Sequence, residues 1–296
     1  MMSVMAACSS ETGQEDTPRD SIETLAYPAN PPTEFGGDRP VNLEVPSSYD
    51  PLVPTPLVVL LHGYSPIPNY MRGMFRMRTF SEDHGVLLVA PEGLQDQVGQ
   101  YFWNGSDACC DFGQSGTDDV AYLVSLVEEI RAAYHVDSRR VYAMGHSNGS
   151  FMANTLACER PDLLAGIVSI AGAANPACEA SGGPSVLHAH GTADNVIEFD
   201  GGFLNGTAYP GAEGTGAYWA EAHGCSSDFE VVGTLDYNAT TPGSESEVRR
   251  AVGCPDGVDV ELWVEPDGPH NPALPIGFGE LWWSWMQEHP RPSAQR

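Results

Sequence analysis

Apolar residues along this chain recur with two periods. Unbroken runs at Leu57 to Leu61 (LVVLL), Val86 to Ala90 (VLLVA), Val141 to Met144, Ile167 to Ala171 and Val186 to Ala189 have the character of strands buried on both faces of a parallel sheet. Between them lie segments of helical period. Asp118 to Tyr134 is the clearest, with Val120, Leu123, Val124, Val127 and Ile130 on one face. Tyr70 to His84, Phe151 to Ala157, Ala217 to His223 and Phe278 to His289 read as further helices, and Val258 to Val264 as a last strand. Arg39 to Pro46 alternates apolar and polar residues, as an edge strand does, and runs into a Ser-Ser-Tyr-Asp-Pro turn. Strands alternating with helices at this spacing predict an α/β fold: a doubly wound, mostly parallel sheet with helices on both faces. The segment from Cys225 to Cys254 is polar and reads as an irregular excursion or an antiparallel hairpin.

The ends differ from the middle. Ser9 to Pro32 is polar and proline-rich with almost no apolar period, so residues 1–34 read as an export start followed by a mobile linker. Residues 35–290 then form one domain and 291–296 a tail. The 42% hydrophobic content is ordinary, but 40 acidic against 13 basic residues leave a net charge of -27, with every basic residue an arginine. Such a surface repels phosphate backbones and anionic lipid, which argues against nucleic acid or a membrane surface as partner. Seven cysteines are many for a reducing compartment, and their spacing is not that of metal or redox pairs. Cys8 follows Met5-Ala6-Ala7, in the manner of a bacterial lipobox, so a lipidated Cys8 is the one membrane tether the chain suggests. Only seven residues precede it, too few for a complete signal peptide. Cys225 and Cys254 fit a local staple, and the vicinal Cys109 and Cys110 are expected to seek distant partners rather than each other.

The candidate chemistry centres on Arg140 to Gly149 (RVYAMGHSNG), a strand running into Gly145-His146-Ser147-Asn148-Gly149 and then a helix. That is a G-x-S-x-G elbow, in which the glycines relieve crowding around a serine held at the tip of a sharp strand-to-helix reversal. A nucleophilic Ser147 needs a base and an acid that orients the base, in the order Ser, Asp or Glu, His, each on a loop after a later strand. Asp194 follows the Val186 strand in Gly191-Thr192-Ala193-Asp194, and His270 follows the Val258 strand in Pro266-Asp267-Gly268-Pro269-His270. Two backbone donors would complete an oxyanion hole: the N–H of Asn148 and that of Tyr64, which Gly63 presents after the LVVLL strand. His62 reads as a holder of that loop. His188 and His190 resemble a metal pair, but lack a further ligand cluster, so neither metal nor organic cofactor is expected.

Between about Asp38 and Pro290 the chain resembles the secreted esterase family of polyhydroxybutyrate depolymerase-like and feruloyl esterase-like α/β-hydrolases. The resemblance is carried by LLHGY at Leu60 to Tyr64, WNGSDACCDFG at Trp103 to Gly113 and DDVAYL at Asp118 to Leu123. It continues through Asp137 to Gly172, with its elbow and its ACERPDLL helix end, and through HGTADNVIEFDGG at His190 to Gly202. It implies a serine carboxylic-ester hydrolase working through an acyl-enzyme, with Ser147, Asp194 and His270 as triad and Tyr64 and Asn148 as oxyanion pair. Feruloyl-type or polyhydroxyalkanoate-type esters, small or polymeric, are the implied substrates. A peptidase or amidase on the same fold, and a non-catalytic polymer-binding relative, are the alternatives. Trp103, Tyr64 and His146 are candidate substrate contacts, the first two as an aromatic wall. The family pattern suggests that Cys109 and Cys110 pair with Cys158 and Cys178, in an order left open. Such families often read G-G-G-H followed by an aromatic residue where this chain has Asp267-Gly268-Pro269-His270-Asn271-Pro272, so the resemblance carries the triad more firmly than an acyl preference. A monomer, secreted, periplasmic or lipid-anchored on a bacterial surface, is the expected form.

Overall fold

The computed structural model describes residues 27–28, 30–275 and 277–292. In chain order the strands are β1 (Glu34–Phe35), β2 (Val41–Glu44), β3 (Thr55–Leu61), β4 (Leu87–Val89), β5 (Leu94–Gln95), β6 (Tyr101–Phe102), β7 (Val136–His146), β8 (Gly166–Ile170), β9 (Ser185–Gly191), β10 (Gly201–Leu204), β11 (Thr207–Pro210), β12 (Phe229–Leu235), β13 (Ser246–Ala251) and β14 (Val260–Glu265). The helices are α1 (Tyr70–Met74), α2 (Met77–His84), α3 (Asp119–Ala133), α4 (Asn148–Glu159), α5 (Ala212–His223) and α6 (Phe278–Glu288). One ten-stranded sheet runs β1-β2-β4-β3-β7-β8-β9-β14-β13-β12. Its six central strands, β4 to β14, are mutually parallel, and antiparallel strands extend both ends.

The apolar runs explain the layering. Successive side chains of a strand point to opposite faces, so a strand buried on both sides must be apolar throughout. In β3, Leu57, Val59 and Leu61 pack with α3, α4 and α5 on one face, while Val58 and Leu60 pack with α1, α2 and α6 on the other. The same alternation divides β7, where Val141 and Ala143 face the first layer and Tyr142 and Met144 the second.

Several expectations need correction. Arg39 to Pro46 does form a strand, but β2 is not the edge, because the short β1 pairs outside it. Ahead of β1, Tyr27 stacks on His135 at 5.0 Å and the Tyr134 hydroxyl donates to the Pro32 carbonyl at 3.2 Å. At the other end Arg291 donates to the Pro161 carbonyl at 2.6 Å and the Leu164 carbonyl at 3.0 Å, so the body of the protein holds it. The expected single helix over Tyr70 to His84 is two, broken at Arg76, whose φ of 46 lies in the left-handed region. The break lets Phe75 pack against Phe278 and Trp282 while α2 turns Met77 and Ser81 inward. The Cys225 to Cys254 segment is the hairpin β12–β13, which joins the main sheet beside β14. Cys8 lies outside the described residues.

Candidate active site

The carboxyl ends of β3, β7, β9 and β14 meet at one place. β7 ends in the reversal expected of Gly145 to Gly149. A Cβ on Gly145 would overlap the Gly149 carbonyl, and one on Gly149 would overlap the Leu61 carbonyl. Ser147, at the tip, has φ 56 and ψ -121, a sparsely populated conformation for a residue with a side chain, held by its N–H donating to the Ile170 carbonyl at 2.8 Å. It caps α4, whose first N–H groups have no partner within the helix.

The three residues picked from the sequence come together here. His270 Nε2 lies 3.0 Å from Ser147 Oγ, and His270 Nδ1 lies 2.7 Å from Asp194 Oδ2. The other carboxylate oxygen, Oδ1, accepts the N–H groups of Val196 and Ile197 at 2.8 and 2.9 Å. Burial acts to raise the Asp194 pKa, and the hydrogen bonds from His190, His270 and the Val196 N–H outweigh it, so the carboxylate is held well below its ordinary range. With Asp194 ionised, His270 is turned so that Nδ1 donates and Nε2 is free to accept a proton from Ser147.

The loop after β3 faces the elbow. Gly63 packs so closely on Ser147 that a Cβ there would sit 3.1 Å from the serine Cβ. Its N–H donates to the Tyr70 hydroxyl at 2.8 Å, which in turn donates to His146 Nδ1 at 3.0 Å, leaving His146 Nε2–H to donate to the His270 carbonyl at 3.0 Å. Tyr70, which carried no signal beyond its helical period, thus ties the Gly63 loop to the elbow and, through His146, to the His270 backbone. Burial pushes the Tyr70 hydroxyl up to about 12 and His146 down to about 4, so both serve as neutral hydrogen-bonding groups near neutral pH. His62 holds the loop from behind: Nδ1–H donates to the Gly63 carbonyl at 2.7 Å and Nε2 accepts the Gly93 N–H at 2.9 Å.

A cavity of about 430 Å³ opens over Ser147 and His270. Tyr64, His146, Phe112, Val196, Ile197 and Leu204 line it. Tyr64 and His146 are therefore at the cavity. Trp103 is not: it is fully buried, its indole N–H donates to the His62 carbonyl at 3.1 Å, and its ring packs against His62 at 5.0 Å. The aromatic wall is instead Tyr64 with Phe112, in edge-to-face contact at 5.3 Å. The Asn148 side chain clamps the Trp103 backbone with a 2.7 Å bond from Trp103 N–H and a 2.8 Å bond to the Trp103 carbonyl. Leu204 reaches the cavity from the hairpin β10–β11, which turns at Asn205-Gly206 with φ of 50 and 79.

Among the described residues there are three disulfides, as extracellular proteins in an oxidising environment have. Cys225 bonds Cys254, as the spacing suggested. The expected pairing of Cys109 and Cys110 with Cys158 and Cys178 is overturned: Cys109 bonds Cys110, and Cys158 bonds Cys178. The reason lies in α4. Cys109 and Cys110 line the cavity beside Ser147, whereas Cys158 sits at the far end of the helix, about 16 Å along its axis by the helical rise. Among the described residues no helix is long and apolar enough to cross a membrane, and no cluster of His, Cys, Asp or Glu is placed to hold a metal ion.

Known proteins resemble this chain. Feruloyl esterase B of Piromyces equi is 25% identical over 86% of this chain and 46% of its own length, and feruloyl esterase D of Neurospora crassa is 24% identical over 90% and 84%. The chain spans less than half the length of several of the curated relatives it matches. Among solved structures, an acetyl xylan esterase from Aspergillus awamori superposes with a TM-score of 0.62 at 18% identity, covering 86% of this chain and 98% of that one, and so shares the α/β-hydrolase fold. The family described as Esterase PHB depolymerase matches residues 43–215, more than half of the chain and inclusive of the Gly63 loop, the elbow and Asp194, and the chain belongs to that family.

Proposed function

We propose that this protein is a serine carboxylic-ester hydrolase. The observation that carries the reading is the continuous line of hydrogen-bonding distances, 3.0 Å from Ser147 Oγ to His270 Nε2 and 2.7 Å from His270 Nδ1 to Asp194 Oδ2, at the floor of a cavity. Ser147 Oγ attacks the ester carbonyl as His270 takes its proton, and Asp194 stabilises the imidazolium that forms. The N–H groups of Tyr64 and Asn148 receive the developing oxyanion; both lie beside Ser147, and neither has an acceptor among the described residues. His270 then delivers its proton to the leaving alkoxide, and water, activated by the same histidine, releases the acid from Ser147.

The cavity supports the choice of acyl group. Its apolar wall of Phe112, Val196, Ile197 and Leu204 suits an aromatic or hydroxyalkanoate acyl chain, in keeping with relatives named as feruloyl esterases. Export is the fitting setting, with a lipidated Cys8 as tether. The test is Ser147→Ala assayed on hydroxycinnamoyl, hydroxybutyrate-oligomer and acetyl esters. The variant should lose hydrolysis by several orders of magnitude with its fold intact, as members of a triad act as a unit. Substantial turnover by that variant, or fluorophosphonate labelling of another serine, would refute the assignment.

A further inference from the structure

Beneath the triad lies a buried polar chain for which ester hydrolysis as described has no use. Asp194 Oδ2, which accepts from His270, is also 3.2 Å from His190 Nε2, and both side chains are wholly buried. The same His190 Nε2 lies 2.8 Å from the Ile197 carbonyl. Both neighbours of that nitrogen are acceptors only, so it carries the ring proton. In the neutral ring His190 Nδ1 then accepts, and the group 3.1 Å away is His188 Nε2, which bears its proton there. His188 Nδ1 accepts in turn from the Ser169 hydroxyl at 2.9 Å, and Ser169 Oγ receives the Ser150 hydroxyl at 2.6 Å and the Asn154 amide at 2.8 Å. Asn154 Oδ1 accepts the Trp219 indole N–H at 2.7 Å. Every proton on this path points one way, from α4 through β8 and β9 to the carboxylate. Ser150, at its start, is itself bonded through its N–H to the Ser147 carbonyl at 2.9 Å.

We infer that His190 is a positioning residue for Asp194, its donor nitrogen selected by His188 and Ser169. The inference rests on the proposed role of Asp194 as the acid of the triad. A carboxylate oxygen serving His270 alone could swing about its Cα–Cβ and Cβ–Cγ bonds. Here Oδ1 is fixed by two backbone N–H groups and Oδ2 by His190, which also holds the Ile197 carbonyl of the same turn. Of the ionisable groups near the carboxylate, His270 and His190 touch it, and His146 stands behind the His270 carbonyl. A hydrogen-bond donor on Oδ2 shares the carboxylate's charge; its loss leaves Asp194 a stronger acceptor toward a protonated His270.

The test compares His190→Phe, which keeps a planar ring without a donor, with His190→Gln, which can both donate to the carboxylate and accept from His188. His190 does not line the cavity, so KM should stay near the wild-type value. In His190→Phe, kcat should fall about ten- to a hundredfold, as for loss of one hydrogen bond to a charged group, and the acid limb of the kcat/KM profile should move to higher pH. His190→Gln should recover most of kcat and the wild-type limb. Ser169→Ala, which removes one hydroxyl, should lower kcat several-fold in the same pattern and serves if the phenylalanine variant does not fold. Unchanged kcat and pH profile in His190→Phe, or in Ser169→Ala, overturns the inference. So does a kcat loss fully accounted for by a reduced count of titratable active sites. An active Ser147→Ala protein would instead overturn the hydrolase reading itself, which keeps the two failures distinct.

Discussion

Protonation of His62 should weaken the fold in acid, and a substitution can isolate the effect. The ring is buried, donating from Nδ1 to the Gly63 carbonyl and accepting the Gly93 N–H at Nε2, so a second proton has only a backbone donor to face. Burial lowers its pKa from 6.5 to about 4, against the opposing pull of the Gly63 carbonyl. Above pH 6.5 the ring is neutral in folded and unfolded chains alike. As pH falls from 6.5 toward about 4 the unfolded chain gains a proton that the folded one refuses, so stability drops across that window and the loss is complete below it. A difference of 2.5 units corresponds to a loss on the order of 3 kcal/mol. Other groups titrate in the same range: His146 acts in the same direction, while His289, raised despite its burial by Asp259, gains stability as pH falls. The relief of repulsion in a chain of charge -27 also opposes the loss. The quantity to measure is therefore the gap in unfolding free energy between wild type and His62→Gln, from urea titrations followed by tryptophan fluorescence at a series of pH values. The variant lacks the titrating group, so the gap should shrink by on the order of 3 kcal/mol between about pH 7 and pH 4. A gap that stays constant or widens toward acid would refute the reasoning.

Two further outcomes follow from the packing. Trp103→Phe leaves the buried His62 carbonyl without its indole donor and should cost about 1–3 kcal/mol while sparing KM; a changed KM at unaltered stability would return Trp103 to the substrate wall. Peptide mapping of non-reduced protein should recover Cys109 joined to Cys110, Cys158 to Cys178 and Cys225 to Cys254, with any free thiol confined to Cys8. Replacing the Cys225–Cys254 pair should lower stability by about 2 to 4 kcal/mol, read as a drop in Tm, because it closes a loop of 29 residues. Bridges between Cys109 or Cys110 and Cys158 would contradict the structure.

Local pattern was enough for what depends on neighbours in the chain. Apolar runs such as LVVLL are unbroken because both faces of a central strand are covered, and that requirement is written residue by residue. Gly145 and Gly149 stand where a Cβ would strike the elbow's own backbone or the adjoining strand, and Asp194 and His270 each follow a strand at a sheet's carboxyl end, where the topology converges. The parallel α/β fold, Ser147, Asp194 and His270 were legible for those reasons. Side-chain partnerships between distant segments were not. Whether Trp103 faces substrate or core depended on where the loop before α3 came to rest against His62 and Asn148, and nothing in its own stretch specifies that. The cysteine pairing turned on the length of α4, which carries Cys158 away from the cavity, and the break at Arg76 on the demand of Phe75 for contact with α6. Tyr70 and His190 became part of the site only when β3, β7 and β9 were laid side by side, since a hydrogen bond needs two groups within about 3 Å and the sequence records only one of them at a time.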